Sequence, residues 1–213
     1  QQRCITREDY ISRIFAMPSK FGTIAKAYIV GDIQLDTADK DYPRDTISNP
    51  YALNLYVLGL NDNYNFMHIN KALKENLRSY LSQYRMLTDA INIKSAFIVN
   101  VSVEFEVIPQ PRFNSNEVLL KCIDHLKIIL HNDRMQINGP IDTNAIIGSL
   151  DRIRGVQSIP SFEVTNMTGG GYSQNRYDIK SATKRGIVYP SLDPCIFEIK
   201  YPNKDIKGRI IGL

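Results

Sequence analysis

The sequence predicts an α+β fold: two small two-layer α/β units, with helices packed on mixed or antiparallel sheets, and an extended C-terminal β arm. Three observations point there. Residues 1–90 read as helix, strand, strand, helix. Residues 97–107 alternate apolar and polar side chains with a strict period of two, and helix–helix–strand patterns follow. Gly169-Gly170-Gly171 then opens a proline-punctuated stretch with no helical period. The expected organisation is therefore 1–90, 91–168 and a Gly-hinged segment 169–213. With 213 residues, 43% hydrophobic and 23% charged, such a chain buries enough surface to fold without disulfides or metals. No run of 18 apolar residues occurs, so no membrane-spanning helix is expected.

The first helix starts at Thr6, a side chain that accepts from orphan amide donors, with Glu8 and Asp9 on the positive end of the helix dipole. Tyr10, Ile11, Ile14 and Phe15 form its expected apolar face, and Pro18 stops it. Residues 23–30 read as a strand and 31–50, rich in Asp, Thr, Pro and Asn, as a long loop. Leu53 to Leu60 is apolar almost throughout, which suits a central strand buried on both faces. Ile69, Leu73, Leu77, Tyr80, Leu81 and Tyr84 recur at helical steps, with Lys71, Lys74, Glu75 and Arg78 outside.

In the second unit, Phe97, Val99, Val101, Val103, Phe105 and Val107 share one strand face. Pro109 and Pro111 end the strand. Ser115 or Asn116 is the expected cap of a helix carrying Leu119, Cys122, Leu126 and Leu130. Asn138-Gly139-Pro140 marks a turn, and Asp142 caps a further helix through Ile146, Leu150 and Ile153, stopped by Gly155. Residues 159–165 and 195–201 read as strands, the latter as the last of the chain. Segment 187–201 can add to another chain's sheet or to this chain's own.

Few residue patterns carry chemistry. The glycine triplet lacks the Lys-Ser/Thr pair of a phosphate loop. Cys122 and His125 share a helix, but a structural zinc needs four ligands and nothing nearby supplies the others. No nucleophile motif occurs. Glu104 and Glu106 share a strand face and read as solvated carboxylates. Asn100-Val101-Ser102 and Asn166-Met167-Thr168 match the glycosylation triplet, which carries no weight without a secretory route. Cys4, Cys122 and Cys195 form no local pair and read as free thiols of a reducing compartment. The chain opens at Gln1 without a signal-like segment and reads as part of a longer protein.

Net charge is +4, and all of it falls in 169–213, where eight Lys and Arg face four Asp and Glu. A basic segment bearing Tyr172, Arg176, Tyr177, Lys180, Lys184 and Arg185 admits an alternative reading, a nucleic-acid-binding module working by stacking and phosphate contacts. Strand 97–107 lacks the aromatic-and-basic pattern of an RNA-recognition sheet.

Several stretches resemble a known family. They are Thr6-Arg7-Glu8-Asp9-Tyr10, Phe21-Gly22 with Ile24-Ala25-Lys26-Ala27, and Asn49-Pro50. Tyr84-Arg85-Met86-Leu87-Thr88-Asp89, Tyr189-Pro190-Ser191-Leu192-Asp193-Pro194 and Ile199-Lys200-Tyr201-Pro202 complete the set. Together they resemble the C-terminal part of the baseplate wedge protein of T-even-type contractile-tailed bacteriophages, in the baseplate J superfamily. The resemblance implies a structural subunit and not an enzyme. It implies a dimer in each wedge, other wedge proteins as partners, and a ring around a central hub that rearranges on sheath contraction. Location in the virion tail baseplate, after assembly in the host cytoplasm, follows from it. No cofactor, small-molecule substrate, membrane or nucleic-acid partner is expected. The candidate subunit interface lies in the tail, at Tyr172, Tyr177, Ile187, Tyr189, Phe197 and Ile199. On that reading, deleting 169–213 weakens association more than folding.

Overall fold

The structure is a computed structural model that describes residues 3–32 and 51–212. Most of the expected loop, 33–50, and with it Asn49-Pro50, lies outside the described residues. The chain clusters into two compact units, Gln1–Phe97 with Leu192–Cys195, and Ile98–Ser191 with Ile196–Leu213.

In the first unit, helix α1 (Arg7–Phe15) is held by a capping box. The Asp9 amide donates to Thr6 Oγ1 at 3.2 Å, and Asp9 Oδ2 accepts from the Thr6 amide at 2.9 Å. This reciprocal arrangement satisfies donors that a helix start leaves orphaned. Tyr10 and Ile14 are buried, whereas Phe15, expected on the same face, is 53% exposed. One residue past Ile14 is a turn of about 100° around the helix, which takes Phe15 off the narrow core stripe.

Strand β1 (Lys26–Gly31) pairs antiparallel with β2 (Ala52–Leu60), and β3 (Phe66–Met67) pairs antiparallel with the end of β2. Helix α2 (Lys71–Ser82) follows, capped by Asn70, whose Oδ1 accepts from the Leu73 amide at 2.8 Å. It crosses over to β4 (Ala90–Ser95), parallel to β2 with Ala52 opposite Ala90. The predicted central place of β2 is therefore observed: Leu55 and Val57, like Tyr56 and Leu58 on the opposite face, are buried. The sequence reading passed over β4. Only Ile91 and Ile93 are apolar on its inner side, and its backbone becomes a strand because the β2 edge is there to receive it. Cys4, Tyr10, Ile14, Ile29, Leu55, Leu77 and Leu81 form the core between helices and sheet.

Two of the family-like stretches meet in this unit. The Tyr10 hydroxyl donates to Asp89 Oδ2 at 2.7 Å, and the Cys4 amide donates to the Tyr84 carbonyl at 2.8 Å. Burial and the Asp89 carboxylate push the Tyr10 phenol well above its ordinary range. Tyr10→Phe is expected to cost about 1.5–3 kcal/mol, the range for a hydrogen bond to a charged group. The urea midpoint checks this, and an unchanged midpoint would mean that the bond contributes nothing beyond solvation.

In the second unit, β5 (Phe97–Pro109) is the spine. Helix α3 (Ser115–Ile129) is capped by Asn114 and not by the expected Ser115 or Asn116; its Oδ1 accepts from the Asn116 amide at 3.0 Å. A short strand β6 (Ile141–Asp142) leads into α4 (Thr143–Leu150), capped by Asp142 as predicted and ending before Ile153. Strand β7 (Val156–Asn166) pairs antiparallel with β5, placing Glu104 opposite Glu163.

Next come α5 (Ile179–Ala182), β8 (Thr183–Lys184) and β9 (Ile187–Val188). The strands form a small antiparallel sheet in the order β6-β9-β8. Strand β10 (Cys195–Glu198) pairs with β5, and α6 (Pro202–Asp205) leads into β11 (Ile206–Ile210), parallel to β5. The expected C-terminal strands are present and lie on the chain's own sheet, which decides between the two placements left open. Strand 195–201 is not the last, because β11 follows it.

The α+β class with helices on mixed and antiparallel sheets is observed. Gly208 shows why the helix layer fits so closely here. A Cβ at this position would sit 2.6 Å from both Leu119 Cδ1 of α3 and Phe105 Cζ of β5. Val101, Val103, Phe105 and Val107 are buried, as are Cys122 and Leu126 of α3.

Candidate functional site

The start of the C-terminal segment is built onto β5 by polar side chains of that strand. Asn100 and Ser102 lie on the polar face of β5, yet both are buried. Asn100 Nδ2 donates to Glu198 Oε2 at 2.6 Å, and its Oδ1 accepts from the Ser173 amide at 2.6 Å. Ser173 Oγ and Asn175 Nδ2 both donate to the Ile98 carbonyl, at 2.7 and 2.9 Å. Asn166 Nδ2 donates to the Asn100 carbonyl, and its Oδ1 accepts from the Tyr177 amide at 3.0 Å. A buried polar group left without such partners costs free energy, so the network fixes one arrangement of the segment. Both glycosylation-like asparagines, Asn100 and Asn166, are thus structural members of this network.

Gly169, Gly170 and Gly171 all adopt left-handed φ, at 74°, 58° and 99°, a run that side chains with a Cβ avoid. They form a tight turn in which the Tyr172 amide donates to the Gly169 carbonyl at 3.0 Å. Lys200 Nζ donates to the Gly171 carbonyl.

The six predicted interface residues part company. Phe197 and Ile199 are buried in this chain, at 1% and 2% exposure. Tyr172 stacks edge-on against Tyr201 with centroids 5.4 Å apart, and its hydroxyl donates to Asp205, a buried carboxylate that also accepts from the Tyr201 amide at 2.8 Å. Burial first, and the Asp205 bond second, push the Tyr172 phenol up to about 12. The Tyr177 hydroxyl donates to the Tyr189 carbonyl at 2.6 Å, and its ring lies 6.0 Å from that of Phe197. Ile187 is half-buried in β9. Of the six, the Tyr189 side chain is the one that is exposed. Sequence reasoning missed Asn100, Asn166, Glu198 and Asp205 because alternation gives the face of a residue but not what covers that face.

Further along β5 the same face is open to water. Lys207 Nζ lies 3.2 Å from Glu104 Oε1, and Arg209 pairs with Glu106, each cation opposite its carboxylate in the β5–β11 register. Glu104 and Glu106 are therefore neutralised across strands, and the exposed Lys207–Glu104 pair adds at most about 1 kcal/mol. Lys207 and Arg209, two members of the basic tail, are committed to these pairs.

Cys122 is a core residue, and burial pushes its thiol up to about 11. His125 Nε2 lies 3.3 Å from Ser149 Oγ. No cluster of three or more potential metal ligands exists among the described residues. No helix among them is long and apolar enough to cross a membrane.

No protein-family model matches the sequence, and no curated protein matches it. Among solved structures, the chain is similar to a chain of the cryo-EM structure of the anti-feeding prophage (AFP) baseplate, 6-fold symmetrised. The TM-score is 0.55 with 14% sequence identity, over 92% of this chain and 38% of that chain. The present chain thus spans well under half the length of its structural neighbour, and at this identity the likeness is one of fold.

Proposed function

We propose that this chain is a structural subunit of a contractile tail baseplate, part of a wedge that self-associates and joins neighbouring wedges into the ring around the hub. The observation that carries the reading is the fold shared over 92% of the chain with a baseplate component. Two further points support it. The TREDY and YRMLTD stretches that carry the family resemblance lie against each other through Tyr10 and Asp89. The polar constellations that could have suggested catalysis are satisfied internally, as cross-strand ion pairs and the Asn100 network. Function on this reading resides in surfaces, and Tyr189 is the most exposed of the six candidate interface residues.

Sedimentation equilibrium over a range of concentrations, at low and high salt, is the test. A dimer that persists at high salt is expected, because apolar contacts are not screened. A strict monomer would remove self-association from the reading. Nucleic-acid binding that weakens steeply with salt would replace it with the alternative, since counterion release gives that signature.

A further inference from the structure

Strand β7 is an outer strand beside β5, with helix α5 packed near part of it and a groove alongside. Among the described residues, β7 pairs with β5 and with no other strand. Pro160 lies within β7, and a residue without an N–H is tolerated in a sheet where the strand is an edge. A groove of about 310 Å3 runs beside Phe162, Glu163, Val164 and Thr165. Consecutive strand residues point to opposite faces. A groove that touches all four therefore follows the strand's edge, where its outward amides and carbonyls lie. Ile179, Thr183 and Val188 form part of the facing wall, which offers apolar and small polar contacts to a chain laid between.

The charges across the sheet say what kind of chain would fit. In register across β11, β5 and β7, one row reads Lys207, Glu104, Glu163. Lys207 pairs with Glu104, while Glu163 is exposed and makes no ion pair among the described residues. Two carboxylates directly opposite each other are unfavourable, and a cation on the next strand would offset this. Lys180 also lines the groove, so a uniformly basic segment would not suit it.

We infer that the free edge of β7 over residues 161–165 receives an extended, proline-free segment of a partner polypeptide as an added strand, with one Lys or Arg opposite Glu163. Main-chain bonds to the edge would supply the affinity, and the row of charges the register. The inference stands on the sheet edge and does not depend on the baseplate reading.

The test uses the full chain and two synthetic peptides, blocked at both ends, with alternating Thr and Val around a central Lys or a central Glu. Amide hydrogen exchange resolved by residue, and titration of each peptide, are the readouts. The Lys peptide is expected to slow exchange within 161–165 and to bind about two- to fivefold more tightly than the Glu peptide, the range that cross-strand charge pairs give. Glu163→Lys should reverse that preference, and Glu163→Gln should abolish it. Glu163 is exposed, so both variants are expected to keep the wild-type circular dichroism spectrum. Exchange unchanged at 161–165, or a preference that survives in Glu163→Lys, would overturn the inference. Protection of 161–165 that grows with protein concentration in the absence of peptide would overturn the choice of partner, because the occupant would then be a second copy.

Discussion

A fragment ending at Thr168 is expected to lose the cooperative fold of the second unit. The deleted segment contains β10, β11 and the loop that covers Asn100, and it is not an appendage. It removes Ile196, Phe197, Ile199 and Ile206, all 4% exposed or less. Each fully buried side chain of this size contributes about 1.5–3 kcal/mol. Four of them together approach the whole stability of a domain, about 5–15 kcal/mol. The truncation also strips β5 of its pairing with β10 and β11. The expected result is a loss of far-ultraviolet circular dichroism larger than the deleted residues account for, and no unfolding transition for the second unit in urea. A 1–168 fragment with the full chain's transition would show that the tail only decorates a self-sufficient core. This reverses the expectation drawn from the sequence, that deletion weakens association more than folding.

The second large effect is expected at Asn100. Asn100→Ala removes a donor from the buried Glu198 carboxylate and an acceptor from the Ser173 amide together. Removing one partner from a buried polar group costs about 1–3 kcal/mol, and two such groups are affected here. A destabilisation of about 2–5 kcal/mol is therefore expected. Faster amide exchange across 169–177 should accompany it, because that segment loses its anchor on β5. Ser102→Ala provides the contrast. It lies two residues along on the same face and bonds to Thr165 at 2.7 Å. With neither group charged, it should cost about 1 kcal/mol. Equal effects at the two positions would mean that Asn100 does no more than an ordinary hydrogen bond.

Local rules made much of the fold legible. Thr6, Asp142 and their following amides show capping chemistry written in adjacent residues, and the structure places both helices there. The period of two from Phe97 to Val107 specified β5, and the unbroken apolar run from Leu53 to Leu60 specified a strand buried on both sides. These signals depend on neighbours within one turn or one strand, so they survive in the sequence alone.

The missed features are those for which distant residues decide. Strand β4 has weak propensity and exists because β2 offers an edge 38 residues earlier in the register. Strand β11 is short, contains Gly208, and is defined by β5 roughly half the chain away. The polar face of β5 is one pattern with two fates. Covered by the 169–177 loop, Asn100 becomes the centre of a buried network; beyond that loop, Glu104 and Glu106 form cross-strand ion pairs with Lys207 and Arg209. The amino-acid sequence by itself determined the α+β class, the starts of α1 and α4, the strands β2 and β5 and the absence of a local catalytic motif. Only the tertiary structure decided which polar side chains are buried, where the C-terminal strands pair, and which predicted interface residues reach the surface. The physical reason is that periodicity assigns a side chain to a face, whereas burial depends on what long-range pairing lays over that face.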